Sequence, residues 1–286
     1  MPRRPSATVM QPALAAVALL LPLLSLAAPA LAGTSPPGVN LRWDQCFGDG
    51  GAWNKDFACN INTGFEQLVA SFELSSTFTD ISGLQVEMDL GSVSPAWPAW
   101  WQFKNAGTCR FASLNMVSSQ LVPSANCSDW STGQATGGIG AYQIGSDGPN
   151  RTRIQLVSAV PASALATLDP GQEYFAFALT ISHAKTVGTG SCDGCAEPMC
   201  IFLSGVRLLS PNSVGAVATL NRGANYSGSQ YVTWQHGYPL NITHGCGGQT
   251  GGGIFCQYQQ TNFDCVLYNT TGSRGSTWAT VKSLYR

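Results

Sequence analysis

The chain has 286 residues, 14 basic and 15 acidic side chains, and a net charge of −1, with only 10% of residues charged. No basic face is available to neutralise a phosphate backbone, which argues against nucleic acid as the partner. The 32 glycines and 44% hydrophobic content point instead to a turn-rich chain that can bury a core beneath a polar, nearly neutral surface.

Residues 1–32 read as a secretory signal peptide. Arg3 and Arg4 form a basic start, residues 13–26 are apolar, and Ala30-Leu31-Ala32 is a small-residue cleavage site. The apolar run is shorter than the roughly 20 residues that span a bilayer, and no later segment predicts a membrane span. Cleavage after Ala32 would expose Gly33, not the histidine that opens copper polysaccharide mono-oxygenases. All 10 cysteines follow the signal: Cys46, Cys59, Cys109, Cys127, Cys192, Cys195, Cys200, Cys246, Cys256 and Cys265. An even count behind an export signal predicts disulfides. Short Gly- or Asn-rich intervals favour pairing Cys46 with Cys59 and Cys109 with Cys127.

Residues 33–38 form a Pro-containing linker and 39–43 a first strand. The following loop holds Asp44, Asp49, Asn54 and Asp56, oxygen ligands of the kind calcium takes. Its spacing is not that of an EF-hand, and a disulfide-closed turn is the preferred reading. Leu68, Ala70, Phe72 and Leu74 alternate with polar or smaller residues, as Leu84, Val86, Met88 and Leu90 alternate with Gln85, Glu87 and Asp89. That period of two predicts strands with one face on a core, and it places Glu87 and Asp89 on a solvated face. Residues 95–103 concentrate Trp97, Trp100, Trp101 and Phe103, which Trp130 can join. These four tryptophans are either core packing or an exposed platform for stacking on sugar rings.

Residues 132–148 read as a Gly-rich hairpin loop or long connection, 151–160 as a strand and 161–168 as a short helical turn. Leu168-Asp169-Pro170-Gly171-Gln172-Glu173-Tyr174 then leads into a strand over Glu173–Ser182. The heptad resembles the L-x-P-G-x-x-Y corner of fibronectin type III and immunoglobulin-like sandwiches, in which the tyrosine hydroxyl bonds back to the corner. A second apolar strand, 199–208, is expected beside it. Between them, Cys192-x-x-Cys195-x4-Cys200 is read as a disulfide brace: a zinc site would need a fourth ligand, and a redox pair would open a helix. Further strands are expected at 214–220 and 229–234, and a terminal helix at 278–284.

Taken together, WDQCFGDGGAWNKDFACN, PAWWQF, GTGSCDGCAEPMCIFL, YVTWQ and STWATVKSLYR resemble blocks of a group of secreted bacterial proteins. The resemblance spans most of residues 39–286. It implies one recurring exported module in a bacterial extracellular or periplasmic location, and it carries no activity. The sequons at Asn126, Asn150, Asn225, Asn241 and Asn269 would be incidental in such a host.

The expected fold is mainly β: an antiparallel β-sandwich, immunoglobulin-like or jelly-roll-like, with disulfide-stapled loops. The sandwich is assigned to 33–210, with 211–286 as a Gly-rich, disulfide-stapled extension packed on it. No serine-nucleophile elbow, zinc-protease helix, phosphate loop or dinucleotide fingerprint occurs, so no catalytic residue and no cofactor is assigned. Only His183, His236 and His244 offer imidazoles, and a metal role for the last two rests on spacing alone. Three function classes follow. The first is a non-catalytic module for surface attachment, envelope structure or ligand binding, in which self-association through sheet edges belongs. The second is a carbohydrate-binding module using the four tryptophans. The third is a secreted glycoside hydrolase using Glu87 and Asp89, or Asp49 and Asp56.

Overall fold

The computed structural model describes residues 37–120, 124–221, 223 and 229–237. Period-two alternation along these residues resolves into strands β1 (Gly38–Trp43), β2 (Asn54–Lys55), β3 (Phe65–Glu73), β4 (Phe78–Ile81), β5 (Gly83–Ser92), β6 (Leu114–Val117) and β7 (Cys127–Asp129). The series continues with β8 (Thr136–Ile144), β9 (Arg151–Ala159), β10 (Ala166–Leu168), β11 (Glu173–Ser182), β12 (Met199–Leu209), β13 (Ala216–Leu220) and β14 (Tyr231–Trp234).

The strands pair into two main sheets and a small ribbon. A five-stranded sheet runs β1-β3-β11-β6, with β7 added parallel to β11. A seven-stranded sheet runs β2-β14-β12-β5-β9-β8, with β13 on β12, and β10 pairs with β4. The fold is an antiparallel β-sandwich; among the described strands β7 on β11 and β2 on β14 pair in parallel, and an isolated parallel bridge joins Val39 to Gly223. Leu68, Ala70 and Phe72 of β3 face Leu84, Val86 and Met88 of β5 across one apolar core. Burying side chains of this size stabilises by about 1.5–3 kcal/mol each. At one corner the sheets are joined by the chain itself, because the Leu41 N–H donates to the Ser229 carbonyl at 2.9 Å.

Several expectations are corrected. β12 does not lie beside β11; it pairs with β5, β13 and β14 in the opposite sheet. The interval 132–148 is not a loop, since β8 occupies its middle and pairs with β9. β13 and β14, both beyond residue 210, are strands of the seven-stranded sheet. Residues 1–32, the terminal-helix expectation at 278–284, and Cys246, Cys256 and Cys265 lie outside the described residues.

The disulfides also differ from the expected neighbour pairs. Cys46 bonds Cys127, Cys59 bonds Cys195 and Cys109 bonds Cys192. Cys200 is disulfide-bonded as well. Short loop closure is favourable in an unfolded chain, but the sheets bring sequence-distant loops together and so decide the partners. Cys192 and Cys195 therefore fasten one loop, between β11 and β12, to two separate segments.

Candidate functional site

The outer face of the five-stranded sheet carries a cleft of about 330 Å³. Its floor arises from the alternation of β3 and β11. Leu68 and Ala70 enter the core, so Val69 projects outward and meets Phe175 beside the Cys46–Cys127 disulfide. The walls bring Gln45, Gln67 and Gln120 together with Asp44, Asp49 and Ser124.

Two carboxylates hold these walls in place. Glu173, at the start of β11, accepts the Phe47 and Gly48 backbone N–H groups at 3.0 and 2.8 Å and the Ser71 hydroxyl. It thereby caps the turn over residues 47–49, whose preceding residue, Cys46, provides no side-chain cap. Burial pushes the Glu173 carboxyl pKa up, and these donors oppose that shift. Asp49 accepts the Ala125 and Asn126 N–H groups at 3.2 and 3.1 Å and the Ser124 hydroxyl, which fixes the opposite wall.

The three glutamines are placed differently. Among the described residues no side-chain hydrogen bond engages Gln45, Gln67 or Gln120, whose backbone N–H alone is tied, to Asp129 at 3.1 Å. Each carboxamide keeps both an acceptor and a donor. A hydroxyl also donates and accepts, so carboxamides over an apolar floor match a ring whose edge is hydroxylated and whose face is apolar.

Glu87 and Asp89 form a second cluster, on the outer face of the seven-stranded sheet. That face is not solvated at these positions: Glu87 is 8% and Asp89 4% exposed. Asp89 lies opposite Arg153 of β9, so the guanidinium is delivered onto both acids. Its Nε lies 3.3 Å from Glu87 and 2.9 Å from Asp89, and one terminal nitrogen lies 2.8 Å from Asp147. The Ser204 hydroxyl donates to Asp89. Burial pushes the Glu87 pKa up to about 7; Arg153 pulls it down, and the Asp89 and Asp147 charges add to the rise.

None of the four candidate tryptophans is an exposed platform. Trp97 is 6% exposed, Trp100 and Trp101 0% and Trp130 2%. Trp100 and Trp101 lie in a turn over Ala99–Trp101, and they pack against Trp234 with ring centroids 5.4 and 5.5 Å away. The Arg110 guanidinium stacks 3.4 Å from the Trp100 centroid, and burial lowers its pKa to about 9. These rings belong to the same apolar core as the inward side chains of β3 and β5.

The oxygen-rich loop does not converge on a cation. Asp44 pairs with Lys55, Asp49 takes the 124–126 donors, Asn54 accepts from Thr233 and Asp56 faces His236 at 3.0 Å. Asp49 and Asp56, the candidate acid pair, thus take different partners. Lys55 continues from Asp44 to Glu66 at 2.7 Å, and Glu66 reaches the buried His183 at 3.0 Å. His183 stacks on Phe57 and is therefore a core residue. His244 lies outside the described residues. The one grouping of potential metal ligands among them, Cys46, Cys127 and Glu173, contains two sulfurs already joined in a disulfide.

Sequence reasoning missed Glu173, Arg153 and the three glutamines. For Glu173 a signal was present, since a carboxylate opening an apolar strand beside a cysteine-rich fold calls for a donor set. Glutamines in separate segments carry no spacing pattern. Among the described residues no helix is long and apolar enough to cross a membrane. No family model and no curated protein matches this sequence.

Proposed function

We propose that this chain is a secreted, non-catalytic β-sandwich module of the cell surface or envelope. Its ligand is a neutral, polyhydroxylated polymer, a polysaccharide, held in the cleft of the five-stranded sheet. The observation that carries this reading is the trio of carboxamides, without a side-chain hydrogen bond among the described residues, above the Val69 and Phe175 floor. Asp44 and Asp49 on the same walls disfavour an anionic ligand. The export signal and the disulfides support an oxidising destination.

A hydrolase reading draws support from Glu87, a carboxyl that titrates near neutrality beside a second acid. The arrangement disfavours it. A glycosidase leaves room between its acids for the scissile bond, whereas here the Arg153 Nε lies between them.

Sedimenting the oxidised protein with a panel of insoluble polysaccharides tests the proposal, with supernatants analysed for released sugars. Retention without products is expected. The combined Gln67→Ala and Gln120→Ala change should reduce retention at least about tenfold with an unchanged thermal midpoint, since both side chains are half-exposed. Released sugars, or retention indifferent to both glutamines, would overturn it.

A further inference from the structure

β3 extends past the cleft. Its residues alternate between the two faces of the five-stranded sheet, so Phe65 and Gln67 share the outer face with Val69 of the cleft floor. The register carries this face across the neighbouring strands. Val69 lies opposite Ala178, and Ala178 opposite Val117; one step along, Thr180 stands between Gln67 and Asn115. One step further, Phe65 lies opposite Ser182 at the end of the pairing. Each step of two residues advances about 7 Å, which puts Phe65 ~14 Å from Val69 along the strand.

The chemistry of the cleft recurs here. A single exposed phenylalanine is ordinary on a protein surface, and Phe65 is distinguished by its neighbours. Its ring is 59% exposed and takes no part in the apolar core or in the Val69–Phe175 cluster. Among the described residues no side-chain hydrogen bond engages the Asn115 carboxamide, as none engages that of Gln67. The Thr180 hydroxyl between them reaches only the Asn115 backbone carbonyl, at 3.5 Å. An aromatic face edged by groups that both donate and accept suits a pyranose, whose C–H face is apolar and whose rim is hydroxylated. None of the outward residues in these rows is charged. A protein partner is matched less well, because the core of such an interface clusters several apolar anchors and Phe65 offers one ring among polar side chains.

We infer that Phe65 is a second sugar-stacking subsite, and that the ligand is an unbranched β-linked glycan lying extended along β3 from the cleft to this ring. The inference rests on the polysaccharide reading of the cleft and narrows it. Two contacts along one strand call for an extended chain. Equatorially β-linked pyranoses extend and present flat faces, whereas the corresponding α-linked chains coil. The ~14 Å between Val69 and Phe65 exceeds the reach of one sugar ring, so only an oligomer fills both subsites.

Amide chemical-shift titration of the oxidised protein with cello- and chito-oligosaccharides, from monosaccharide to hexasaccharide, reads affinity and location together. Affinity is expected to climb with length, with shifts at Gln45, Gln120 and Ser124 for every ligand and at Phe65 and Thr180 for the longer ones alone. Phe65→Ala should lower hexasaccharide affinity at least about tenfold and leave disaccharide affinity and the thermal midpoint unchanged, because the ring is exposed. Phe65→Trp should retain the hexasaccharide affinity. Hexasaccharide binding that survives Phe65→Ala but is lost with Gln67→Ala and Gln120→Ala overturns the inference and leaves the cleft reading standing. Tighter binding of malto-oligosaccharides, or no shift at Phe65 and Thr180 with any oligomer, overturns it likewise. Failure to be retained on any polysaccharide overturns the cleft reading as well.

Discussion

Glu87 shows how one buried side chain can contribute to the pH response of a protein. Its carboxyl takes a proton near pH 7 in the folded state, against an ordinary value of 4.5, because burial disfavours the charge more than Arg153 favours it. Between these two values the folded chain holds a proton that the unfolded chain has lost. Stability contributed here therefore falls as pH rises from about 4.5 to about 7, by on the order of 3 kcal/mol in full. Glu87→Gln should remove that slope and leave the variant more stable than the parent at pH 8, as measured by urea unfolding across the pH range. A variant less stable at pH 8, with the slope retained, would show that the ion pair with Arg153 outweighs burial. Tyr174 is a simpler case. Its hydroxyl accepts the Asp169 N–H at 2.8 Å across the Pro170-Gly171 corner, so Tyr174→Phe should cost about 1 kcal/mol in the same assay.

At the scale of elements, period-two patterning marks β3, β5, β9 and β11 to within about two residues, because an outward and inward alternation is written directly into the side chains. Partners were not written there. β11 and β12 follow one another in sequence, yet the loop between them crosses the sandwich and delivers them to opposite sheets. β5 was assigned the correct face for Glu87 and Asp89 but the wrong surroundings, since Arg153 reaches them only through the pairing of β5 with β9. The same blindness misplaces the disulfides, and of the polar groups on the cleft walls only the two aspartates stand out in the sequence, because the glutamines come from three separated segments. The observed bonds make their own prediction. Cys109 and Cys192, 83 residues apart, fasten the β11–β12 loop to the segment before β6. Replacing both by serine should cost about 4 kcal/mol, chiefly by freeing the unfolded chain. Losing Cys59–Cys195 in addition should release the loop that carries Cys192 and Cys195, seen as new protease cleavage between residues 183 and 198.

Across the whole molecule, sparse charge and a polar cleft lead to a prediction about salt. Affinity that rests on ion pairs or on phosphate contacts falls steeply with ionic strength, because screening and counterion release both act on charge. On the proposed reading, in which carboxamides above an apolar floor hold hydroxyls, the cleft has no such term. Its two aspartates are already occupied, Asp44 by Lys55 and Asp49 by the donors of residues 124–126. With a net charge of −1 the molecule also contributes little long-range field of its own. Retention on a neutral polysaccharide should therefore stay within about twofold as sodium chloride rises from about 0.05 to 0.5 M. The Gln67→Ala and Gln120→Ala variant should show the same flat response at its lower level. A steep loss with salt would transfer the binding role from the cleft to charged groups such as Arg151 or Lys185, and with it the identity of the ligand from a neutral polymer to an acidic one. The salt series thus separates the two ligand classes without requiring that either polymer be identified first.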